Sequence, residues 1–143
     1  MYQKVFLGLE EAQKAVDAIL ATATKKEPFY PIAVAVVDLC GDLIYFAKLD
    51  GTFPNQVRMA INKAYTAALL RRSTAVFGEN TRKWNLSLGS WVDSRYTDVA
   101  GGVCITTKDG KPLAGIGVSG IPTPEGDEEL VLFGPKALGL MIK

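Results

Sequence analysis

The chain has 143 residues, 48% hydrophobic and 22% charged, which suits one globular domain and excludes disorder, collagen and coiled coil. Sixteen Lys and Arg against fifteen Asp and Glu leave a net charge of +1, too weak a field to track a nucleic-acid backbone. There is no histidine, which removes catalytic triads built on it, HExxH zinc sites and histidine-ligated haem, and hands acid–base chemistry to carboxylates, Lys, Tyr or Cys.

Two cysteines, Cys40 and Cys104, are too few for a disulfide scaffold and lack zinc-site spacing, so no metal site is expected. The longest apolar run, Ile32 to Val37, is far short of the roughly 20 residues of a membrane span. The first apolar stretch, Val5 to Leu9, is cut off at once by Glu10 and Glu11, so no signal peptide is read and a cytoplasmic location is expected.

In chain order, Leu9, Ala12, Ala15, Val16, Ile19, Leu20 and Ala23 form the stripe of an amphipathic helix from Leu9 to Thr24. Acidic residues open it, Lys25 and Lys26 follow it, and Pro28 and Pro31 forbid its continuation. Ile32–Asp38 and Leu43–Lys48, either side of a turn containing Gly41, read as a hairpin. The unbroken apolar character of the first run predicts a central strand covered on both faces. After a loop over Asp50–Asn55, with Asn55 as cap, a second helix runs to about Arg72. Its small-residue stripe (Val57, Ala60, Ile61, Ala64, Ala67, Ala68) suits close packing on a sheet. The other side carries Met59, Asn62, Lys63, Thr66 and Leu70, either an ordinary surface with a snorkelling lysine or a subunit interface or pocket wall.

Residues 73–100 hold two tryptophans among Ser, Asn, Asp and Gly, too mixed for one regular element and long enough to be a lid or binding loop. Val103–Lys108 and Pro112–Ser119 flank Asp109-Gly110, a strong hairpin signal. Asp127–Leu140 reads as a helix capped by Asp127 or Thr123 and kinked or split by Gly134-Pro135. Hairpins alternating with separate helices give α+β with an antiparallel sheet in a single domain, residues 1–143.

Segments spread over nearly the whole chain resemble the GlcG/HbpS family of small haem-binding proteins, which includes the C-terminal domain of PduO-type proteins. They are Leu9-Glu10-Glu11-Ala12, Ile32–Asp38 with Gly41 and Leu43, Leu49-Asp50-Gly51, and Lys63-Ala64-Tyr65-Thr66-Ala67 with Ser73-Thr74. Gly101-Gly102-Val103, Gly115–Gly120 and Asp127-Glu128 follow in the same order. The resemblance implies a five-stranded antiparallel sheet with helices packed on it, homo-oligomers, and pockets near subunit contacts. It also implies haem as a ligand. Here the chain departs from the pattern: no histidine is available as axial ligand, Cys104 replaces a common proline, and Phe77–Val99 does not align.

The expected function is an oligomeric small-molecule-binding protein that holds a tetrapyrrole or another small, partly apolar ligand at a subunit interface. The alternative is a small cofactor-independent lyase, isomerase or hydrolase acting on a carboxylate or carbonyl metabolite. In that reading Lys63 is base or anion clamp, with Asp50 or Asp127 as partner. Lys63 could equally form an inter-subunit ion pair with Asp127 or Glu128, and Asp50-Gly51 could be only a turn. Met59, Asn62, Thr66, Gly101, Gly102, Cys104, Ser119, Gly120 and Glu128 complete the candidate ligand-binding set. Cys104 is by default a buried, inert thiol, and the glycines from Gly115 to Gly120 suit close approach of a helix or ligand better than a phosphate loop.

Overall fold

The computed structural model describes residues 1–143. The elements in chain order are α1 (Leu9–Thr24), β1 (Ala33–Val37), β2 (Leu43–Lys48), α2 (Pro54–Leu70) and α3 (Thr74–Lys83). A 3-10 turn (Leu88–Trp91) follows, then β3 (Gly102–Thr106), β4 (Pro112–Ser119), α4 (Pro124–Val131), α5 (Phe133–Ala137) and β5 (Met141–Ile142). The five strands form one antiparallel sheet in the order β2-β1-β4-β3-β5. The fifth strand has only two residues, too short to leave a signal of its own.

Alternation along β1 sorts its side chains to two cores. Ile32 (just before the strand), Val34 and Val36 pack with Ala12, Ala15, Val16 and Ile19 of α1 and with Leu130 and Val131 of α4. Ala33, Ala35 and Val37 meet Ala60, Ala64 and Ala68 of α2 on the other face. β1 is buried throughout, as the unbroken apolar run predicts.

The α2 face is a contact between main chains. Gly115 and Gly117 of β4 point at the helix, and a Cβ on Gly115 would overlap the carbonyl oxygen of Ala64 and lie 2.6 Å from the amide nitrogen of Ala68. One on Gly117 would overlap the carbonyl oxygen of Ala60 and lie 2.6 Å from the amide of Ala64. Alanine on the helix and glycine on the strand therefore set the depth at which α2 lies.

Several boundaries correct the sequence expectation. Asn55 does not cap α2: Pro54 occupies the first turn, where its missing N–H costs nothing, and Phe53 precedes it without a side-chain cap bond. The helix stops at Leu70, and Arg71 adopts a left-handed conformation (φ 56°, ψ 41°). Residues 74–83 form a regular helix capped by Ser73, whose Oγ accepts from the amide of Val76 at 3.2 Å. At the C-terminus Thr123, not Asp127, is the cap, accepting from the amide of Gly126 at 3.1 Å. The long helix divides at Leu132, so Gly134-Pro135 falls in the first turn of α5 rather than at the break.

Candidate functional site

Lys63 is the largest side chain buried to below 2% exposure. It sits beside the alanine stripe of α2 and reaches over the end of the sheet. Its Nζ donates to the Val118 carbonyl at 2.9 Å and to Asp127 Oδ2 at 2.9 Å. Asp127 Oδ1 accepts from the amide of Ile121 at 3.0 Å, so the carboxylate also closes the turn between β4 and α4. Gly101, at φ +124°, covers the pair: a Cβ there would stand 2.8 Å from Lys63 Nζ and 2.9 Å from Asp127 Cβ. Burial lowers the Lys63 pKa and raises that of Asp127, while the attraction between them works the other way for both. The partner expected from a second subunit is thus supplied by the same chain, and the flank carrying Lys63 and Thr66 is buried within it.

The rest of the candidate set divides. Thr66 is fully buried; its hydroxyl donates to Asn62 O at 2.8 Å and accepts from the amide of Thr97 at 3.0 Å. Gly102 N–H donates to Thr74 Oγ1 at 3.0 Å, and a Cβ on Gly102 would stand 2.5 Å from the Lys63 carbonyl oxygen. Ser119 Oγ is hydrogen-bonded to Gln56 Oε1, which ties β4 to the start of α2. Gly120 (φ +143°) lets the chain turn against Pro31. These residues surround the Lys63–Asp127 pair or the turns beside it. Met59 and Asn62 are half-buried on the outer side of α2. Asp50 lies apart, exposed in the turn after β2, where Thr52 rather than Asp50 bonds the backbone at Ile32 and Leu49. Cys104 is fully buried, and burial pushes its thiol up to about 11, so the thiolate that a nucleophile or metal ligand requires does not form near neutrality.

Beside the pair lies an open cleft of ≈ 510 Å³ between α3 and the start of α4. Glu128 lines it, as do Glu79, Arg82, Asp98, Ala100 and Glu125. Four carboxylates face one guanidinium, and Arg82 lies 3.9 Å from Asp98. No three His, Cys, Asp or Glu side chains converge as a metal site.

Sequence reasoning did not find the constellation that anchors the strap of residues 84–99. Tyr65 on α2 donates its hydroxyl to Asp93 Oδ2 at 2.5 Å. Asp93 also pairs with Arg95, whose guanidinium stacks 4.1 Å from the centre of the Tyr65 ring. Trp91 and Tyr96 pack on Phe77 of α3 with ring centres 5.4 and 6.1 Å away. Burial first, and then the bond to Asp93, pushes Tyr65 up to about 12; the Tyr65 hydroxyl and Arg95 bring Asp93 down to about 2. The apolar residues of the stretch gave notice that it packs, but their partners lie on α2 and α3, out of reach of local pattern.

A sheet covered by α1, α4 and α5 on one face and by a glycine-seated helix on the other, with a charged pair closing one end, defines a small α+β domain with a cleft at the end of its sheet. The chain belongs to the haem degrading protein HbpS-like family, whose model matches residues 7–134. A double mutant of Streptomyces reticuli HbpS is 32% identical and superposes with a TM-score of 0.86 over 97% of this chain and 91% of that one. The C-terminal domain of PduO, solved as a haem complex, shares the fold at 20% identity, with a TM-score of 0.83 over 96% and 98% of the two chains. A 15.0 kDa Citrobacter freundii protein from the dhaT-dhaS intergenic region is 29% identical over 115 residues, 80% of each chain. No helix is long and apolar enough to cross a membrane.

Proposed function

We propose that this protein is an oligomeric small-molecule-binding protein that holds a flat, partly apolar ligand of the tetrapyrrole type where subunits meet, in a pocket that includes the α3–α4 cleft. The observation that carries this reading is the apolar surface left open on α3 and the strap that follows it. Val76, Trp84, Leu86 and Val92, all on α3 or the strap, are exposed, Val92 at 96%, and the buried indole N–H of Trp91 has no partner. Large apolar groups left exposed on one segment mark a surface that meets something, and the family and the PduO haem complex support the kind of ligand.

The residues present do not fit a conventionally ligated haem. Histidine is absent, the Cys104 thiol is closed off, Tyr65 is committed to Asp93, and no Met or other Tyr lines the cleft. Binding therefore rests on the ring system and its edge, with Arg82 the one cation in the cleft to meet a ligand carboxylate. Haemin and metal-free protoporphyrin should accordingly bind with affinities within about threefold of each other, since an axial bond contributes nothing. Absorbance titration with both, alongside sedimentation of the protein, tests this. Failure of both porphyrins to bind, or a monomer in solution, overturns the reading.

A second reading, a small lyase, isomerase or hydrolase using Lys63 and Asp127, is favoured by one observation: burial drives both groups towards their neutral forms, a common device of acid–base sites. A substrate would have to reach an ammonium that Gly101, Val118 and Asp127 enclose. Turnover of a carbonyl or carboxylate metabolite that Lys63→Met abolishes, in a variant that stays folded, would establish it. Unchanged turnover would remove Lys63 from the chemistry.

A further inference from the structure

We infer that a second groove, at the opposite end of the β3–β4 hairpin from the acidic cleft, binds a small organic anion with an apolar body. The groove has a volume of ≈ 600 Å³, within the roughly 300–1,000 Å³ typical of small-molecule sites. Its wall is the N-terminal segment, fixed where the amide of Leu7 donates to the Leu113 carbonyl at 3.3 Å. Tyr2 and Leu113 give it apolar surface, and Lys4, Arg71 and Lys111 face the single carboxylate of Asp109.

That carboxylate is already occupied. Asp109 accepts from Thr107 Oγ1 at 2.5 Å and lies 3.7 Å from Lys111 Nζ. Neither Lys4 nor Arg71 has a carboxylate within 4.0 Å. Arg71 ends the helix through its backbone alone, and the side chain that bonds the helix end is that of Arg72, whose Nε donates to the Leu70 carbonyl at 3.2 Å. That bond also offsets the negative end of α2, which would otherwise oppose an anion beside it. Two cations without a carboxylate partner, Arg71 and Lys4 (whose Nζ lies 5.7 Å over the Tyr2 ring), beside aliphatic surface match a carboxylate, sulfonate or phosphate joined to a ring or short chain, the guanidinium gripping two oxygens at once. The contrast with the other end, where four carboxylates face Arg82, shows that the near-neutral chain concentrates its charge by place. This inference is independent of the reading given for the acidic cleft.

The test uses 8-anilinonaphthalene-1-sulfonate, an anion on an apolar aromatic body, titrated into the full chain by fluorescence. The expected result is one saturable site per chain. Lys4→Gln with Arg71→Gln weakens it at least fivefold without altering the far-UV spectrum or Tm, and Lys14→Gln with Lys25→Gln, exposed lysines on and just after α1, leaves it within twofold. Uncharged N-phenyl-1-naphthylamine should bind at least fivefold more weakly than the sulfonate to the unaltered chain. Arg71→Lys, which keeps the charge and loses the fork, should fall between the parent and the double variant. Absence of a saturable site, or a loss below fivefold in the double variant, overturns the inference. So does an equal loss in the α1 variant.

Discussion

Replacing Asp127 with asparagine would leave the ammonium of Lys63 at 1% exposure with only the Val118 carbonyl as its partner. The amide can still accept from Ile121, so the perturbation is mainly the loss of one charge. Removing one member of a buried ion pair costs about 3–5 kcal/mol, because the remaining charge stays desolvated. A domain of this kind is stable by roughly 5–15 kcal/mol in all, so the variant should be visibly weakened. At about 3–4 °C per kcal/mol for a chain of this size, Tm should fall by roughly 10–20 °C. Adding Lys63→Met removes the stranded charge, and the double variant should regain at least about 2 kcal/mol over Asp127→Asn alone. Urea unfolding of the parent, both single variants and the double variant, followed by far-UV circular dichroism, closes the cycle. A cost below about 1 kcal/mol for Asp127→Asn, or single-variant effects that add to within about 0.5 kcal/mol, would refute the claim that the pair closes the end of the sheet.

The strap should respond to pH at both extremes. Asp93 is depressed to about 2 when folded, so its contribution is complete above the ordinary carboxylate value of about 4 and lost as pH falls towards 2. Tyr65 is raised to about 12, so its contribution is complete below about 10 and lost as pH rises towards 12. Tryptophan emission from Trp84 and Trp91 should change in both windows, and Tyr65→Phe should remove the alkaline change; a flat profile in the parent would contradict the anchor. Of the two thiols, a disulfide reagent at neutral pH should titrate Cys40 alone in the native protein and Cys104 only after unfolding, because Cys40 is exposed and Cys104 buried. Gly117→Ala should cost about 3 kcal/mol or more, since its Cβ has no room against α2. Gly110→Ala, with nothing within 4 Å, should cost only about 1 kcal/mol for its positive φ; equal losses in the two would mean that the helix is not seated as described.

The helices and strands were legible where one face of one element decides the matter. The α1 stripe and the two hairpins announce themselves in periodicity and turn chemistry, and the structure has them close to the expected limits. Lys63 shows where that logic stops. The sequence pattern puts it on the side away from the alanine stripe, although a helical wheel sets it only about 60° from Ala60, at the border, and a wheel cannot say how deep the helix sits. Because glycines on β4 let α2 sink onto the sheet, that border position is inside, and its partner comes from 64 residues further along the chain. Asp127 was legible as a candidate partner, but not as one in the same subunit. The anchor at Tyr65, Asp93 and Arg95 joins α2 to an irregular stretch, and irregular backbone carries no period from which its contacts could be read.

The seat of α2 on β4 has a mechanical consequence. Where two backbones touch with only hydrogen between them, no rotamers are available to yield, so a push on the helix cannot be absorbed by rearranging side chains. Strand and helix must travel as one stiff spine, with compliance left to the loops at either end. A molecule pressing on Arg71 at the foot of that spine and one lodged near its other end would lean on the same rod.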